Sequence, residues 1–316
     1  MPKPVPVRAP AQYTCHRAAV FSDIHSNYHA LKACFDDAVS NGADCFLFLG
    51  DYISGLSEPV KTLELVYDIL SRYPTVCIRG NRERYMIDHS QGNYPFAYGS
   101  HTGSFLFTYN QLRECDHVFI SNLPFYDVIV INGVTLELAH ATKNSDRYYF
   151  EKDNALIDVV FSQMESSCLL TGHSHKQYIQ SAHNKVIINA GSVGLPQGGN
   201  WHAQYALLNI DEGAVSCELM RVPYDLKAAI HGQFCSGLAH CAGCWAISEL
   251  YGAITGEEYT KQLLSKMYRF ANDDPSALED EQLWRQCAAE LGMHFTEKEI
   301  LDFAVDAGVF SFSTPR

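Results

Sequence analysis

The chain has 316 residues, 47% of them hydrophobic, with 18 Tyr, 17 Phe and a formal net charge of −13. That length suits one large domain or a domain with a smaller companion, and the aromatic content excludes a disordered chain. The acidic balance excludes non-specific nucleic-acid binding, so a phosphorylated substrate has to be attracted locally, by metal ions or a few arginines.

The opening segment, MPKPVPVRAPAQY, alternates proline with small residues and lacks the apolar region of a signal peptide. It predicts an extended, poorly ordered leader over residues 1–16. No apolar stretch approaches the about 20 residues of a membrane span. The 11 cysteines sit mostly in apolar runs, as at Cys45, Cys77 and Cys168. They are expected to be buried, reduced thiols in a cytoplasmic protein.

The first two-thirds of the chain repeats one theme: a short apolar run ends in a polar residue of the kind that binds ligands. RAAVFSDIH delivers Asp23 and His25, CFLFLGDY delivers Asp51, and TVCIRGNRE delivers Asn81. VTLELAHAT then delivers His140, and SCLLTGHSH delivers His173 and His175. Helical patterns lie between them, notably over residues 29–40, 59–71 and 151–164. Strands alternating with helices predict an α/β fold. Ligands in such folds gather beyond the carboxyl ends of the strands. Any one of these residues has a plain structural reading: Asp23 suits a helix cap, and an isolated H-x-H suits an exposed loop. A structural reading explains poorly why every strand end carries Asp, Asn or His.

After His175 the pattern changes. KVIINAGSVG predicts a strand and a glycine-bounded turn, and QYALLNI and VSCELMRV predict antiparallel strands joined at DEG. From about Tyr224 the strands stop. Thr255, Ser276 and Thr296 each begin an S/T-x-x-E capping box, closed by Glu258, Glu279 and Glu299. The expected organisation is a leader at 1–16, a domain over 17–223 with an insertion at about 84–120, and a helical extension over 224–316. Within that extension, HGQFCSGLAHCAGCW (231–245) brings Cys235, Cys241 and Cys244 near His231 and His240. This cluster reads as a structural zinc site, a redox pair or buried helical thiols.

The pieces DIH, GDY, GNRE, AHA and GHSH, in that order, resemble the calcineurin-like metallophosphoesterase superfamily. That family's pattern runs D-x-H, G-D, G-N-H, H and G-H-x-H, and the resemblance covers about residues 17–222. NAGSVGLPQGG (189–199) also resembles the segment after GHxH in the small bacterial phosphodiesterase-like branch. The resemblance implies a four-layer α/β/β/α sandwich with a C-terminal helical extension. It implies two divalent ions about 3.5–4 Å apart, clamping a phosphorus centre for in-line displacement by a bridging water. One ion would be held by Asp23, His25, Asp51 and His175, the other by Asp51, Asn81, His140 and His173, with Asp51 as the bridge. The catalytic residues it implies are Asp51, Asn81, Arg82 and His140. Mixed nitrogen and oxygen ligation without thiolate suits manganese first, with iron, zinc, nickel, cobalt or magnesium as alternatives.

One position departs from the pattern: where the family usually has a histidine that can protonate the leaving oxygen, this chain has Arg82. Arginine does not release its proton, but it grips phosphate bidentately. The structural alternative for Arg82 is a salt bridge to Glu83 or another acid. As a clamp without an acid, Arg82 favours anhydrides or aryl esters, whose leaving groups depart unprotonated. The insertion RYMIDHSQGNYPFAYGSHTGSFLFTYNQL is rich in aromatics. It reads either as a lid for a nucleotide-like substrate or as a helical hairpin packed on the core, and His101 would bind substrate or supply an acid if it folds inward.

The expected activity is hydrolysis of phosphodiester, phosphoanhydride or phosphomonoester bonds in a small phosphorylated substrate, a nucleotide among the candidates. A dinucleoside polyphosphate hydrolase or a protein phosphatase is the alternative, the latter weakened by the missing histidine. A metal-free binding scaffold is more remote, because all seven ligand-type positions are kept.

Overall fold

A computed structural model describes residues 11–310, apart from 212, 272, 273, 275, 276 and 279. Its first half runs β1 (Ala11–Tyr13), β2 (Arg17–Phe21), α1 (Tyr28–Ser40), β3 (Cys45–Phe48), α2 (Pro59–Arg72), β4 (Thr75–Cys77) and α3 (Asn81–Ser90). Next come α4 (Gly103–Gln111), α5 (Glu114–Asn122), β5 (Tyr126–Ile131), β6 (Val134–Ala139), α6 (Ala155–Gln163) and β7 (Cys168–Thr171). The strands finish with β8 (Tyr178–Ala182), β9 (Lys185–Asn189), β10 (Ala203–Asp211) and β11 (Ala214–Val222). Helices α7 (Leu226–Cys235), α8 (Leu238–Cys241), α9 (Gly243–Thr255), α10 (Tyr259–Ala271), α11 (Glu281–Ala289) and α12 (Glu297–Asp306) follow.

The strands form two sheets, ordered β1-β5-β6-β7-β9-β8 and β11-β10-β2-β3-β4. The period-two alternation of each strand decides the layers. Ala18 and Val20 of β2 and Cys45 and Leu47 of β3 meet Leu136, Leu138, Cys168 and Leu170 of the other sheet. The intervening Ala19, Phe21, Phe46 and Phe48 turn outward into a cluster with Leu31 and Cys34 of α1 and Leu63 and Val66 of α2. On the far side, Ala139, Leu169 and Ile187 take Ile157, Val160 and Phe161 of α6. The architecture is therefore helix, sheet, sheet, helix. The C-terminal helices add to the outer layer of the five-stranded sheet. Ile230, Leu250, Met267, Trp284 and Ile300 share the same buried cluster as Phe21 and Phe48. No helix is long and apolar enough to cross a membrane among the described residues.

Several expectations need correction. Residues 1–10 of the expected leader lie outside the described residues, and its described end is not free. Ala11–Tyr13 pairs in parallel with β5, Gln12 opposite Val130, because an edge strand offers a row of unpaired backbone groups. The helix expected over 151–164 starts at Ala155, where the Asn154 side chain caps it by accepting from the Leu156 amide. Thr255 does not open a helix. It ends α9, and Gly256 follows with φ 71°, a left-handed C-terminal stop. The Thr296–Glu299 capping box is present in full. The one at Ser276 and Glu279 lies outside the described residues. The aromatic insertion packs on the core: Phe96 and Phe105 share the buried cluster of Phe21 and Phe48, His89 stacks on Phe96 with centroids 4.1 Å apart, and Phe105 meets both Phe96 and Tyr85.

Candidate metal centre

Strands β2, β3 and β4 are parallel, as are β6 and β7. Their carboxyl ends deliver Asp23, Asp51, Asn81, His140 and His173 to one place where the two sheets meet. All seven ligand-type side chains singled out from the sequence are brought together there. Asp23, His25, Asp51, Asn81 and His140 are buried. Five of the seven, Asp23, His25, Asp51, His173 and His175, have φ between 52° and 63°. Left-handed backbone at non-glycine residues costs on the order of 1–3 kcal/mol each and persists where surrounding structure enforces it.

The enforcing contacts are visible. The Asp51 amide donates to Glu83 Oε2 at 2.8 Å, and the Tyr52 amide donates to Glu83 Oε1 at 2.9 Å. The Gly80 amide also donates to Glu83 Oε2, at 2.8 Å. One buried carboxylate thus ties the turn after β3 to the turn after β4. Two glycines are required by close approach. A Cβ on Gly80 would lie 2.2 Å from Asp51 Oδ1, and one on Gly172 would lie 1.9 Å from Ser22 Oγ.

Three imidazoles share one arrangement. Nδ1 of His25 faces the Ser54 carbonyl at 3.2 Å, Nδ1 of His140 the Leu49 carbonyl at 2.9 Å, and Nδ1 of His175 the Leu195 carbonyl at 2.8 Å. A carbonyl only accepts, so each Nδ1 carries the proton and each Nε2 is directed to the centre. There, the Nε2 atoms of His25 and His175 stand 3.1 Å apart. His175 Nε2 is 3.2 Å from Asp23 Oδ1, and His140 Nε2 is 3.4 Å from Asp51 Oδ2. Asp23 Oδ1 is buried without a hydrogen-bond partner. Two facing lone pairs beside an unpartnered carboxylate oxygen call for a cation. The donor atoms fall into two triads, Asp23–His25–His175 and Asp23–Asp51–His140. Asp23 is common to both, and Asp51 Oδ2 also stands 3.8 Å from His25 Nε2. Asn81 Oδ1 joins at 3.0 Å from His140 Nε2. His173 is at the rim, its ring centroid 5.1 Å from that of His140.

Electrostatics hold His25, His173 and Asp51 in ligand form and leave His140 as the group that carries positive charge. Burial, reinforced by neighbouring positive charge, pushes His25 and His173 down to about 4. Burial works against the charge on Asp51, yet His140 and His25 hold it at about 2. Burial would also lower His140, but Asp51 and Asp23 draw positive charge to it and carry it up to about 10. The pocket therefore favours positive charge at its centre.

Arg82 opens toward this centre. Its backbone amide donates to Asp51 Oδ1 at 2.7 Å, and its guanidinium lies over the Phe105 ring at 4.8 Å. It does not pair with Glu83, which the backbone amides occupy, but its Nε stands 3.8 Å from Asp51 Oδ2, so the acid it meets is Asp51. His101 is not part of the cluster. Its ring is 6.2 Å from that of Trp245, and it makes no hydrogen bond or ion pair to the seven residues among the described ones. Sequence reading passed over Glu83, although its place three residues after Gly80 is the capping-box position. It also passed over Ser22 and Ser192, whose hydroxyls donate to Asp23 Oδ2 and to the Asp23 carbonyl.

The fold and the motif agree with known proteins. The family model described as "Calcineurin-like phosphoesterase superfamily domain" matches residues 17–213. An uncharacterized protein of Methanocaldococcus jannaschii, MJ0912, is 27% identical over 226 residues, 67% of this chain and 89% of its own. Two crystal structures share the fold. A metallophosphoesterase from Sphaerobacter thermophilus has a TM-score of 0.58 at 19% identity, covering 75% of this chain and 99% of that one. Hypothetical protein PH1004 from Pyrococcus horikoshii has a TM-score of 0.64 at 15% identity, covering 78% of this chain and all of that one, 100%.

Proposed function

The chain belongs to the calcineurin-like phosphoesterase superfamily, and from that premise we propose that it is a dinuclear metal-dependent phosphoesterase acting on a small phosphorylated substrate. The observation that carries this reading is the facing pair of imidazole Nε2 atoms, 3.1 Å apart, next to the unpartnered Asp23 Oδ1. That donor set fits divalent cations of the manganese, iron or zinc kind. Asp23, His25, Asp51 and His175 would hold one ion, and Asp51, Asn81, His140 and His173 the other. When bound, two such ions supply Lewis acidity and make water a nucleophile at neutral pH.

The chain's own residues do the remaining work. The Ser54, Leu49 and Leu195 carbonyls hold the three imidazoles in the Nε2-ligating tautomer. Glu83 fixes Asp51 and Asn81 relative to each other through the backbone amides it accepts from. Arg82 grips the phosphate. Its guanidinium is positioned over Phe105 with Nε 3.8 Å from Asp51 Oδ2, which leaves its terminal NH2 groups to fork onto phosphate oxygens. A preset clamp and preset ligands need little reorganisation when charge develops on phosphorus.

The test compares bis-p-nitrophenyl phosphate with p-nitrophenyl phosphate while metal-free protein is titrated with manganese. The expected result is metal-dependent turnover and two bound ions per chain. In Asp51→Asn, turnover should fall by ~100-fold or more, because a ligand to both ions is weakened. The ratio of diester to monoester rates then ranks the substrate classes. Absence of turnover with every divalent metal, despite full metal loading, would overturn the reading.

A further inference from the structure

Helix α9 brings a further carboxyl to the mouth of this centre. Glu249 is 1% exposed. Its Oε2 accepts a 2.7 Å hydrogen bond from the Ser104 hydroxyl of α4, and its Oε1 has no hydrogen-bond partner. It lines a small cavity whose wall also includes Arg82 and His175. Burying an unpaired carboxylate is costly unless it keeps its proton. Burial does push this carboxyl up, against the opposing pull of the Arg82 guanidinium, the Ser104 hydroxyl and the Trp245 indole. The sequence around Glu249 gives no reason for an acid here: its neighbours Ile247, Leu250 and Tyr251 belong to the core.

The proposed reaction needs a group of this kind. When an alkyl ester is cleaved, the leaving oxygen takes the electron pair of the P–O bond and must be protonated. Arg82 keeps its proton. His25, His140 and His175 spend Nδ1 on backbone carbonyls and turn Nε2 inward. Among other groups on the cavity wall, Glu257 is exposed, Glu258 pairs with Lys261 at 3.3 Å, and burial raises the Tyr259 phenol further.

We propose that Glu249 is the general acid of this site, donating its carboxyl proton to the oxygen that leaves phosphorus. The proposal rests on the phosphoesterase reading. Hydroxide derived from water forms the new bond to phosphorus, and the P–O bond to the leaving group breaks. The Glu249 O–H bond then breaks, and the proton completes the product alcohol. Arg82 steadies the Glu249 carboxylate that remains. The proton lost by water and the one regained by Glu249 are exchanged with solvent, so the sum is hydrolysis. The acid thus comes from outside the matched residues 17–213, and the C-terminal helices complete the active site.

The test uses the manganese-loaded full chain and two esters of the same phosphate class, one with a p-nitrophenyl and one with an ethyl leaving group. In Glu249→Gln, kcat on the ethyl ester should fall by ~100-fold, within the range of general acid catalysis. The p-nitrophenolate leaves unprotonated, so its rate should change less than ~3-fold. The alkaline limb of the ethyl-ester pH profile, where the acid form is lost, should disappear. Gln keeps the hydrogen bond from Ser104 and buries no charge, so the variant should fold. Ser104→Ala gives an independent arm. Removing a bond that favours the carboxylate should move the alkaline limb to higher pH and leave the p-nitrophenyl rate unchanged. An infrared difference spectrum of metal-free wild type against Glu249→Gln at neutral pH should contain the carbonyl band of a protonated carboxyl. Equal losses on both esters, no loss on either, a wild type inert toward the ethyl ester, an unmoved limb or a missing band would each overturn the proposal. Failure of the underlying phosphoesterase reading looks different: wild type itself would then hydrolyse neither ester.

Discussion

Two regions of the molecule gather histidines with acidic or thiol side chains, and they differ in what holds them. At the strand ends, Asp23, His25, Asp51 and His140 are buried, and each imidazole is oriented by a backbone carbonyl from another segment. On α7, His231 and Cys235 stand one helical turn apart. His231 Nε2 is 3.0 Å from Cys235 Sγ, and its Nδ1 is 2.9 Å from Glu297 Oε1 of α12. The His231 side chain is 63% exposed. Both groups of three or more donors found among the described residues belong to the strand ends. Both regions place histidine beside an acidic side chain. What differs is that parallel strands aim several side chains at one point, whereas one helix face yields neighbouring pairs.

The comparison can be broken most severely at Gly172. A Cβ there would lie 1.9 Å from Ser22 Oγ and 2.4 Å from Asp23 Oδ2. The turn carrying His173 and His175 must then withdraw from Asp23. A displacement of about 1 Å costs on the order of 100-fold in rate. Gly172→Ala is expected to lower manganese affinity and to cut turnover by at least that factor while the protein stays folded. Titration calorimetry and circular dichroism check this. Unchanged manganese affinity would show that the strand-end cluster does not depend on close approach.

Arg82→Ala should have the next largest effect. Hydrogen bonds to charged groups contribute about 1.5–3 kcal/mol, which corresponds to a loss of roughly 10–100-fold in kcat/KM. Because Arg82 reaches the centre with its side chain but no ligand atom, bound manganese should remain at the wild-type level. Atomic absorption alongside steady-state kinetics separates the two. Loss of the metal itself would place Arg82 in the scaffold of the centre rather than in the clamp.

How much of this was legible in the sequence follows from the same physics. A strand end is marked locally, by an apolar run and then a polar residue, so Asp23, Asp51, Asn81, His140 and His173 could be picked out one by one. Their order along the chain carried the fold with them. The supports were not marked. Glu83 reads as a routine acid in the first turn of α3, and its role is set by amides 31 and 32 residues away. Glu249 reads as one acid in an otherwise apolar helix until Ser104, 145 residues away, is seen against it. Thr255 was misread because S/T-x-x-E records only spacing. Gly256 with φ 71° ends one helix where the motif suggested the start of another. The aromatic insertion gave composition without direction, and only the burial of Phe96 and Phe105 in the main core cluster decided where its rings face.

A smaller effect is expected at Thr296, whose side chain accepts from the Glu299 amide in an intact capping box. Thr296→Ala should cost about 1 kcal/mol, read as a lower melting temperature, with manganese binding and turnover unchanged at 25 °C. Coupled loss of metal would mean that α12 and the strand-end centre are linked more tightly than their separation in the fold suggests.

The smallest effect belongs to the helical cluster itself, and it tests the comparison from the other side. His231 and Cys235 are both exposed or half-exposed, and the ring makes one ion pair, to Glu297. An exposed pair of this kind is worth about 0–1 kcal/mol, and surface substitutions away from special features stay within about 0.5 kcal/mol. The double variant His231→Ala, Cys235→Ser should therefore keep its melting temperature to within a few degrees, and its manganese content and kcat should match wild type. Zinc content should be the same in both proteins after purification without added metal and should not rise in wild type alone on zinc titration. If wild type bound one more zinc per chain than the double variant, side chains on a single helix face would have assembled a site that strand ends were not needed to build, and the contrast between the two regions would fail.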